Sequence, residues 1–155
     1  MIFLNKLTLH LHMETEKIIS DLIRFKTTSE KPEEIKKCAD YILDYLNDDN
    51  ISIETTEIDG KFSIVATYSR TKAPDVFFNA HFDVVPGDEA MFTPRLEGDK
   101  LYGRGSEDCK GQVAILLQLI KEFSKVRPSI GLMLTSDEEI GGEKGKTAFG
   151  KRLQL

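Results

Sequence analysis

Two stretches in the first third of the chain carry apolar residues at helical spacing. In residues 14–25 the apolar positions mark one face of a helix, and residues 27–29 then interrupt the pattern. The second stretch has apolar residues at offsets 0, 3, 4, 7, 8 and 11, which predicts an amphipathic helix: Ile35, Cys38, Ala39, Ile42, Leu43 and Leu46. Pro32 suits the first turn of that helix. Cys38 lies on its apolar stripe and is expected to be inert packing.

The first dozen residues have a different pattern. Apolar residues largely alternate along residues 1–12, which favours a strand, and Met13 opens a better helix. We therefore treat residues 1–12 as an N-terminal extension and residues 13–155 as the folded domain. His10 and His12 would share one face of such a strand as a candidate metal pair, although histidines near a terminus are more often exposed to solvent.

Strand-like patterns fill the middle and the end of the chain. Residues 51–55 alternate strictly and residues 62–68 form a second run, with a turn-like Asp-Gly pair between them, which predicts a hairpin. Short continuous apolar runs at 76–78 and 130–135 suit strands buried on both faces. A helix lies between these runs, with apolar residues at 3.6-residue spacing: Val113, Leu116, Leu117, Ile120 and Phe123. Strand, helix and strand in that order predict a right-handed crossover and an α/β fold, a mixed, mainly parallel sheet flanked by helices.

The composition is that of an ordinary folded protein and narrows the choice of partners. The 155 residues include 40% hydrophobic and 30% charged ones with a net charge of −5, and the lysines and arginines are scattered. Nucleic acid is therefore not expected as a partner. No apolar stretch approaches the roughly 20 residues that a membrane span needs. Cys38 and Cys109 form no C-x-x-C pair and no signal peptide is recognisable, so we expect a cytoplasmic protein.

Three polar clusters lie where predicted strands end or a helix begins, the usual place of ligands in α/β sheets. The first is His81-Phe-Asp83, directly after the strand at 76–78. On extended backbone, residues two apart point to the same face. His81 is thus a candidate metal ligand whose ring a nearby carboxylate would orient. The alternative is a strand-end histidine with an ordinary hydrogen bond.

The second and third clusters are rich in acids. Residues 103–111 precede the helix that begins near Gln112, which makes Asp108 a candidate metal ligand or, alternatively, a helix cap. A phosphate loop is not indicated, because neither G-x-x-x-x-G-K-[ST] nor G-x-G-x-x-G is present. Residues 136–142 follow the strand at 130–135, and their crowded acids repel one another unless cations, protons or water intervene, although charge runs are usually solvated surface. One imidazole and several carboxylates form a ligand set suited to zinc with a water molecule retained for hydrolysis.

Together the three clusters resemble a family of co-catalytic zinc hydrolases that includes aminoacylase, acetylornithine deacetylase, succinyl-diaminopimelate desuccinylase and carboxypeptidase G. The matching segments are 81–86 (His-Phe-Asp-Val-Val-Pro), 101–111 (Leu-Tyr-Gly-Arg-Gly-Ser-Glu-Asp-Cys-Lys-Gly) and 137–142 (Asp-Glu-Glu-Ile-Gly-Gly), in the family's order and spacing. The resemblance covers residues 14–150. It implies a zinc-exopeptidase-like fold and a metal-dependent hydrolase that cleaves an amide bond of N-acyl amino acids or small peptides.

The resemblance also implies a role for each site residue. His81 would bind one zinc ion, Asp108 would bridge two zinc ions, and Glu139 would bind the other. Cobalt or manganese are alternatives for the same nitrogen and oxygen donors. Asp83 would orient His81. Glu138 would be the general base that takes a proton from the attacking water and passes it to the leaving nitrogen.

Further expectations concern the loop and the length of the chain. The family often has a cis peptide after the bridging aspartate, here Asp108-Cys109, which would make Cys109 a supporting residue; Arg104 and Lys110 could hold the loop through salt bridges. Family members are longer and supply further metal ligands, so residues 13–155 are expected to be a truncated catalytic domain without the second, dimerisation-type domain. Exposed apolar surface would then favour a homo-oligomer. The alternatives are an inactive fragment that folds and binds a metal or a partner chain, and an α/β domain whose acids are surface charges.

Overall fold

The computed structural model describes residues 2–68, 74–145 and 147. Its first two helices are α1 (Ile2–Arg24) and α2 (Pro32–Leu46). α2 begins at its proline and has two glutamates in the first turn, where carboxylates suit the positive end of a helix. Its buried residues are those that the helical period predicts: Ile35, Cys38, Ala39, Ile42 and Leu46. No helix in the described part of the chain combines the length and apolar character that a membrane span requires.

Helix α1 differs from the sequence-based prediction in where it begins. It is continuous over Ile2–Arg24, so the strand predicted for the first dozen residues is wrong. The same apolar residues also fit a helical period, because leucines recur at positions 4, 7 and 11. Residues two apart lie on different sides of a helix, so His10 and His12 do not share a face as predicted. Their side chains lie outside the described residues.

The described residues contain six strands, numbered in chain order: β1 (Ser52–Ile58), β2 (Lys61–Thr67), β3 (Val76–His81), β4 (Arg95–Glu97), β5 (Lys100–Tyr102) and β6 (Ile130–Thr135). Four of them form the main sheet in the order β1-β2-β6-β3. β1 and β2 form the predicted hairpin, β2 pairs antiparallel with β6, and β3 and β6 are parallel. The mixed sheet is confirmed. One of the three neighbouring pairs among the described strands is parallel, a smaller share than the mainly parallel sheet that we predicted.

The third helix, α3 (Lys110–Glu122), connects the parallel strands β3 and β6 as predicted. Helices α1, α2 and α3 share one core with the main sheet, and alternate strand residues face that core, such as Ile64 and Ala66 in β2 and Leu132 in β6. Phe123, the last position of the predicted apolar pattern, lies just beyond α3 and is 43% exposed. The apolar face of the sheet therefore packs against the helices, and the polar residues lie at the ends of the strands.

A second hairpin, formed by β4 and β5, is absent from the predicted elements. Glu97 pairs with Lys100, so Gly98 and Asp99 form a two-residue turn. Gly98 has a φ of +64°, which glycine adopts without strain. The Gly-Asp pair is the sequence signal for such a turn, but each strand has three residues, which is too short for an alternation to be recognised.

Candidate metal centre

The parallel pair of strands brings two of the polar clusters together. β3 ends at His81 and β6 ends at Thr135, and these two residues are partners in the strand register. The ladder continues for one more step, because the Phe82 N–H donates to the Thr135 carbonyl oxygen at 2.9 Å. Asp83 and the acidic segment 136–142 therefore leave the sheet side by side at the carboxyl ends of parallel strands.

His81 lies at the centre of the cluster, with 7% of its surface exposed. Its Nδ1 is 3.1 Å from the Asp83 carbonyl oxygen and 3.4 Å from Asp83 Oδ1. Its Nε2 faces two acids, at 3.0 Å from Asp108 Oδ1 and 3.8 Å from Glu138 Oε2. Asp83 thus contacts one ring nitrogen and orients the ring, and the other nitrogen faces the carboxylates of Asp108 and Glu138.

Asp83 also organises the acidic turn that follows β6. The residue is 2% exposed, and its carboxylate accepts the Glu138 N–H at 3.2 Å and the Glu139 N–H at 3.0 Å. It therefore fixes the His81 ring and the turn of the two glutamates at once. The sequence reasoning missed this second role, because these bonds join residues 55 and 56 positions apart and no local spacing signals them.

Asp108 reaches the cluster from the loop before α3. The loop is tightly turned, since the Lys110 N–H donates to the Gly105 carbonyl oxygen at 2.7 Å and Gly105 has a φ of +81°. Gly111 has no room for a side chain, because a Cβ there would lie 2.4 Å from a main-chain oxygen. The Asp108-Cys109 peptide bond is cis, as the resemblance implies. The Asp108 side chain is 79% exposed, and its carboxylate faces the imidazole.

Cys109 places a sulfur atom in the same neighbourhood. Its Sγ is 3.3 Å from the backbone nitrogen of His81 and 3.3 Å from the backbone oxygen of His81. Among the described residues, donor atoms of His81, Asp108 and Cys109 form a group within 4.8 Å of one another that fits a metal ion. Glu139 is outside that group, so its predicted role as a ligand stays a prediction. Because the sulfur contacts the main chain of His81, we keep Cys109 as a supporting residue.

The three consecutive acids after β6 have three different environments. Asp137 is 2% exposed and accepts the N–H groups of Lys144 at 2.8 Å and Gly145 at 3.1 Å, so it caps the next helical turn. Glu138 is exposed and faces the imidazole, and Glu139 is half-buried. Of the three, Glu138 and Glu139 are therefore the ones that remain for metal or proton chemistry.

The electrostatics of the cluster favour a cation. Hydrogen bonding to Asp83, followed by the contact with Cys109, raises the pKa of His81 to about 11. Burial is the main cause that raises the pKa of Glu139, and the negative charge of nearby acids adds to it. A metal ion would relieve this repulsion between carboxylates. One imidazole nitrogen and several carboxylate oxygens are donors that zinc, cobalt and manganese accept, so the residues fit a metal.

A protein-family model describes the same part of the chain. The model of peptidase family M20/M25/M40 matches residues 77–154, which is half of the 155 residues. The chain belongs to this family. The match begins in β3 and includes the five site residues of the three motifs, so the resemblance inferred from these motifs is confirmed: His81, Asp83, Asp108, Glu138 and Glu139.

Curated M20 relatives extend over more of the chain. The succinyl-diaminopimelate desuccinylase of Sulfurovum sp. (strain NBC37-1) is 28% identical over 149 residues, covering 92% of the chain and 37% of that protein. The desuccinylase of Vesicomyosocius okutanii subsp. Calyptogena okutanii (strain HA) is 35% identical over 117 residues, covering 67% of the chain and 30% of that protein. The chain thus spans about a third of the length of these curated relatives.

Solved M20 structures share the fold. Human carnosine dipeptidase 1 superposes with a TM-score of 0.72 at 19% identity, covering 97% of the chain and 39% of that structure. The M20 family metallo-carboxypeptidase from Sulfolobus solfataricus gives a TM-score of 0.66 at 22% identity, covering 83% and 32%. These likenesses confirm the predicted fold class, a mixed sheet flanked by helices as in M20 metallopeptidases.

Proposed function

We propose that the chain carries the metal-binding part of a two-metal hydrolase that cleaves an amide bond in N-acyl amino acids or small peptides. The observation that supports the proposal is the contact between two polar clusters. His81 and Asp108 are 27 residues apart in the sequence, yet His81 Nε2 lies 3.0 Å from Asp108 Oδ1. Membership of the M20/M25/M40 family supports a metal-dependent hydrolase. In this proposal residues 13–155 form part of the catalytic domain.

His81, Asp108 and Glu139 are the residues that would hold the metal ions, with Asp108 between the two. Two zinc ions suit this donor set, and cobalt or manganese would accept the same atoms. When bound, the ions acidify water and polarise the scissile carbonyl group. The Asp108 side chain is 79% exposed, which supports a bridging role because a bridge must present both carboxylate oxygens.

Glu138 is the residue that we propose as the general base. Its side chain is 60% exposed, and its Oε2 is 3.8 Å from His81 Nε2, so it borders the space in front of the imidazole. A carboxylate there is placed to accept a proton from the attacking water and to return it to the leaving nitrogen. Asp83 holds this base in place through the Glu138 N–H.

The relatives refine the substrate class within this proposal. Two of them, at 28% and 35% identity, are desuccinylases of succinyl-diaminopimelate by name, which favours an N-acyl amino acid over a dipeptide. The substrate would be a small molecule.

A cytoplasmic location fits Cys38 and Cys109, which are both free thiols. A homo-oligomer fits Val76, which is 48% exposed on β3, a strand with one neighbour among the described strands.

The test uses a chimera in which this chain replaces the segment that it matches in the Sulfurovum desuccinylase. With zinc present, we expect the chimera to hydrolyse N-succinyl or N-acetyl amino acids. Glu138→Gln removes the base, so kcat should fall by about 10²–10⁴-fold while the zinc content measured by atomic absorption stays the same.

Glu143→Gln supplies the matched control, because Glu143 is an exposed glutamate five residues beyond Glu138. This variant should keep the activity of the parent chimera. A chimera that binds zinc but hydrolyses none of these compounds, or a Glu138→Gln variant as active as its parent, would contradict the proposed mechanism. The first of these results would favour the alternative of an inactive metal-binding fragment.

A further inference from the structure

Lys110 is a fully buried lysine at the first position of α3. Its side chain is 0% exposed, and its Nζ donates to the Phe25 carbonyl oxygen at 2.6 Å. Lysine is almost never fully buried unless it is paired, because taking an ammonium out of water costs free energy. An apolar residue would fill the same space without that cost, so the bond to Phe25 points to a specific role.

The stem of Lys110 fills the space between two loops of the metal centre. A Cβ placed on Gly105 would lie 3.0 Å from Lys110 Cδ and 2.8 Å from Val84 Cγ1. Gly105 belongs to the loop that carries Asp108, and Val84 directly follows Asp83. The lysine stem therefore packs where the two metal-binding segments approach each other.

The segment that accepts the lysine hydrogen bond, residues 25–27, also holds the end of β3. Thr27 is fully buried, and its Oγ1 donates to the Phe82 carbonyl oxygen at 2.6 Å. The Thr27 carbonyl oxygen accepts the Val84 N–H at 3.1 Å. These two bonds lie on either side of the buried aspartate that orients the imidazole.

We infer that Lys110 is a positioning residue that sets the distance between Asp108 and His81. Its ammonium fastens the loop of Asp108 to residues 25–27, and Thr27 in that segment is fastened to the strand end that carries His81. One buried ammonium and one hydroxyl thus join two segments that the sheet does not connect. The inference rests on the proposed function, because it requires that His81 and Asp108 share a metal ion.

A purely electrostatic role of Lys110 predicts the opposite change in metal affinity. Its positive charge interacts with Asp83 and would repel a cation, so removing the charge alone would strengthen metal binding. Loss of positioning weakens metal binding, since partners that orient metal ligands are worth about 10–100-fold in affinity. The direction of the change therefore separates the two explanations.

The experiment compares Lys110→Met with Lys121→Met in the whole chain. Lys121 is a matched control because it lies in α3, carries the same charge and also donates to a main-chain carbonyl oxygen, that of Asn47 at 2.8 Å. Zn²⁺ is titrated in competition with a chromophoric chelator, and the visible absorption of bound Co²⁺ is recorded. We expect Lys110→Met to raise the zinc Kd by about 10–100-fold and to change the Co²⁺ spectrum, and Lys121→Met to change neither.

Circular dichroism without metal checks that each variant is folded. Lys110→Arg keeps a cationic donor, so its zinc Kd should lie closer to that of the unsubstituted chain than the Kd of Lys110→Met does. Unchanged or tighter binding by Lys110→Met overturns the inference. Loss of the folded spectrum in both Lys110→Met and Lys110→Arg also overturns the inference, because Lys110 would then be required for folding as a whole. Absence of zinc binding by the unsubstituted chain instead overturns the proposed function itself.

Discussion

The two sides of the candidate metal centre are built in opposite ways. His81 and Asp83 are 7% and 2% exposed, and both are bonded to main-chain groups. Asp108 and Glu138, which face them from the solvent, have side chains that are 79% and 60% exposed. We infer that the buried side is part of the folded framework and that the exposed side contacts the metal or substrate. The two aspartates of this site are therefore expected to contribute to different free energies, Asp83 to the free energy of folding and Asp108 to that of metal binding.

Removing each aspartate in turn tests whether the two sides of the metal centre contribute to different free energies. Asp83→Ala takes away the acceptor of two backbone N–H groups, so we expect the metal-free chain to lose about 3 kcal/mol of unfolding free energy. Asp108→Ala removes an ion pair open to solvent, so we expect a change below about 1 kcal/mol. Urea denaturation in the presence of EDTA measures both. Equal losses would contradict the division between the two sides.

The stability of the fold at alkaline pH tests a buried hydroxyl away from the metal centre, that of Tyr68. Tyr68 is 8% exposed, its hydroxyl donates to the Ile120 carbonyl oxygen at 2.6 Å, and burial raises its pKa to about 12. Because this folded-state pKa lies above the ordinary value of 10.0, the hydroxyl stabilises the fold below pH 10 and loses that contribution as the pH rises towards 12.

Tyr68→Phe removes the hydroxyl without emptying the core. We expect it to cost about 1 kcal/mol at pH 8, where the bond is made, and to reduce the loss of stability between pH 10 and pH 12. Urea denaturation at the three pH values measures both effects. An unchanged alkaline sensitivity in the variant would show that Tyr68 does not supply it.

The two cysteines differ in burial, as the two sides of the metal centre do. Cys38 is fully buried in α2, and burial raises the pKa of its thiol to about 12, whereas Cys109 is half-buried beside His81. At pH 8 we expect a thiol reagent to modify Cys109 alone in the folded chain and both thiols in urea. Folded Cys109→Ser should therefore give no reaction. Rapid modification of that variant would show that Cys38 is accessible.

The features that follow from a local pattern are those that the sequence predicts. Burial leaves a local pattern of apolar residues in three elements: the stripe of α2, the hairpin of β1 and β2, and the run at Ile130–Thr135. The structure contains all three. The beginning of α1 is a different case, because the leucines of its first turns fit both a strand and a helix. A local pattern that fits two periods does not determine which of the two elements forms.

The contacts that support the site from distant segments could not be predicted from local spacing. Asp83 accepts hydrogen bonds from the Glu138–Glu139 turn, Thr27 bonds to the end of β3, and Lys110 bonds to the residue that follows α1. Each of these contacts spans at least 55 residues. The motifs indicated the candidate ligands and the base. The long-range hydrogen bonds that fix their geometry are seen in the folded structure.

A calorimetric titration of the chain with zinc tests directly whether His81 and Asp108 share one metal centre. We expect the unsubstituted chain to bind zinc, His81→Ala and Asp108→Ala each to weaken binding by at least about 10-fold, and Glu143→Gln to bind like the unsubstituted chain. These results would mean that residues on β3 and on the loop before α3 share one metal centre. Equal zinc binding by His81→Ala, Asp108→Ala and the unsubstituted chain would contradict a shared metal centre.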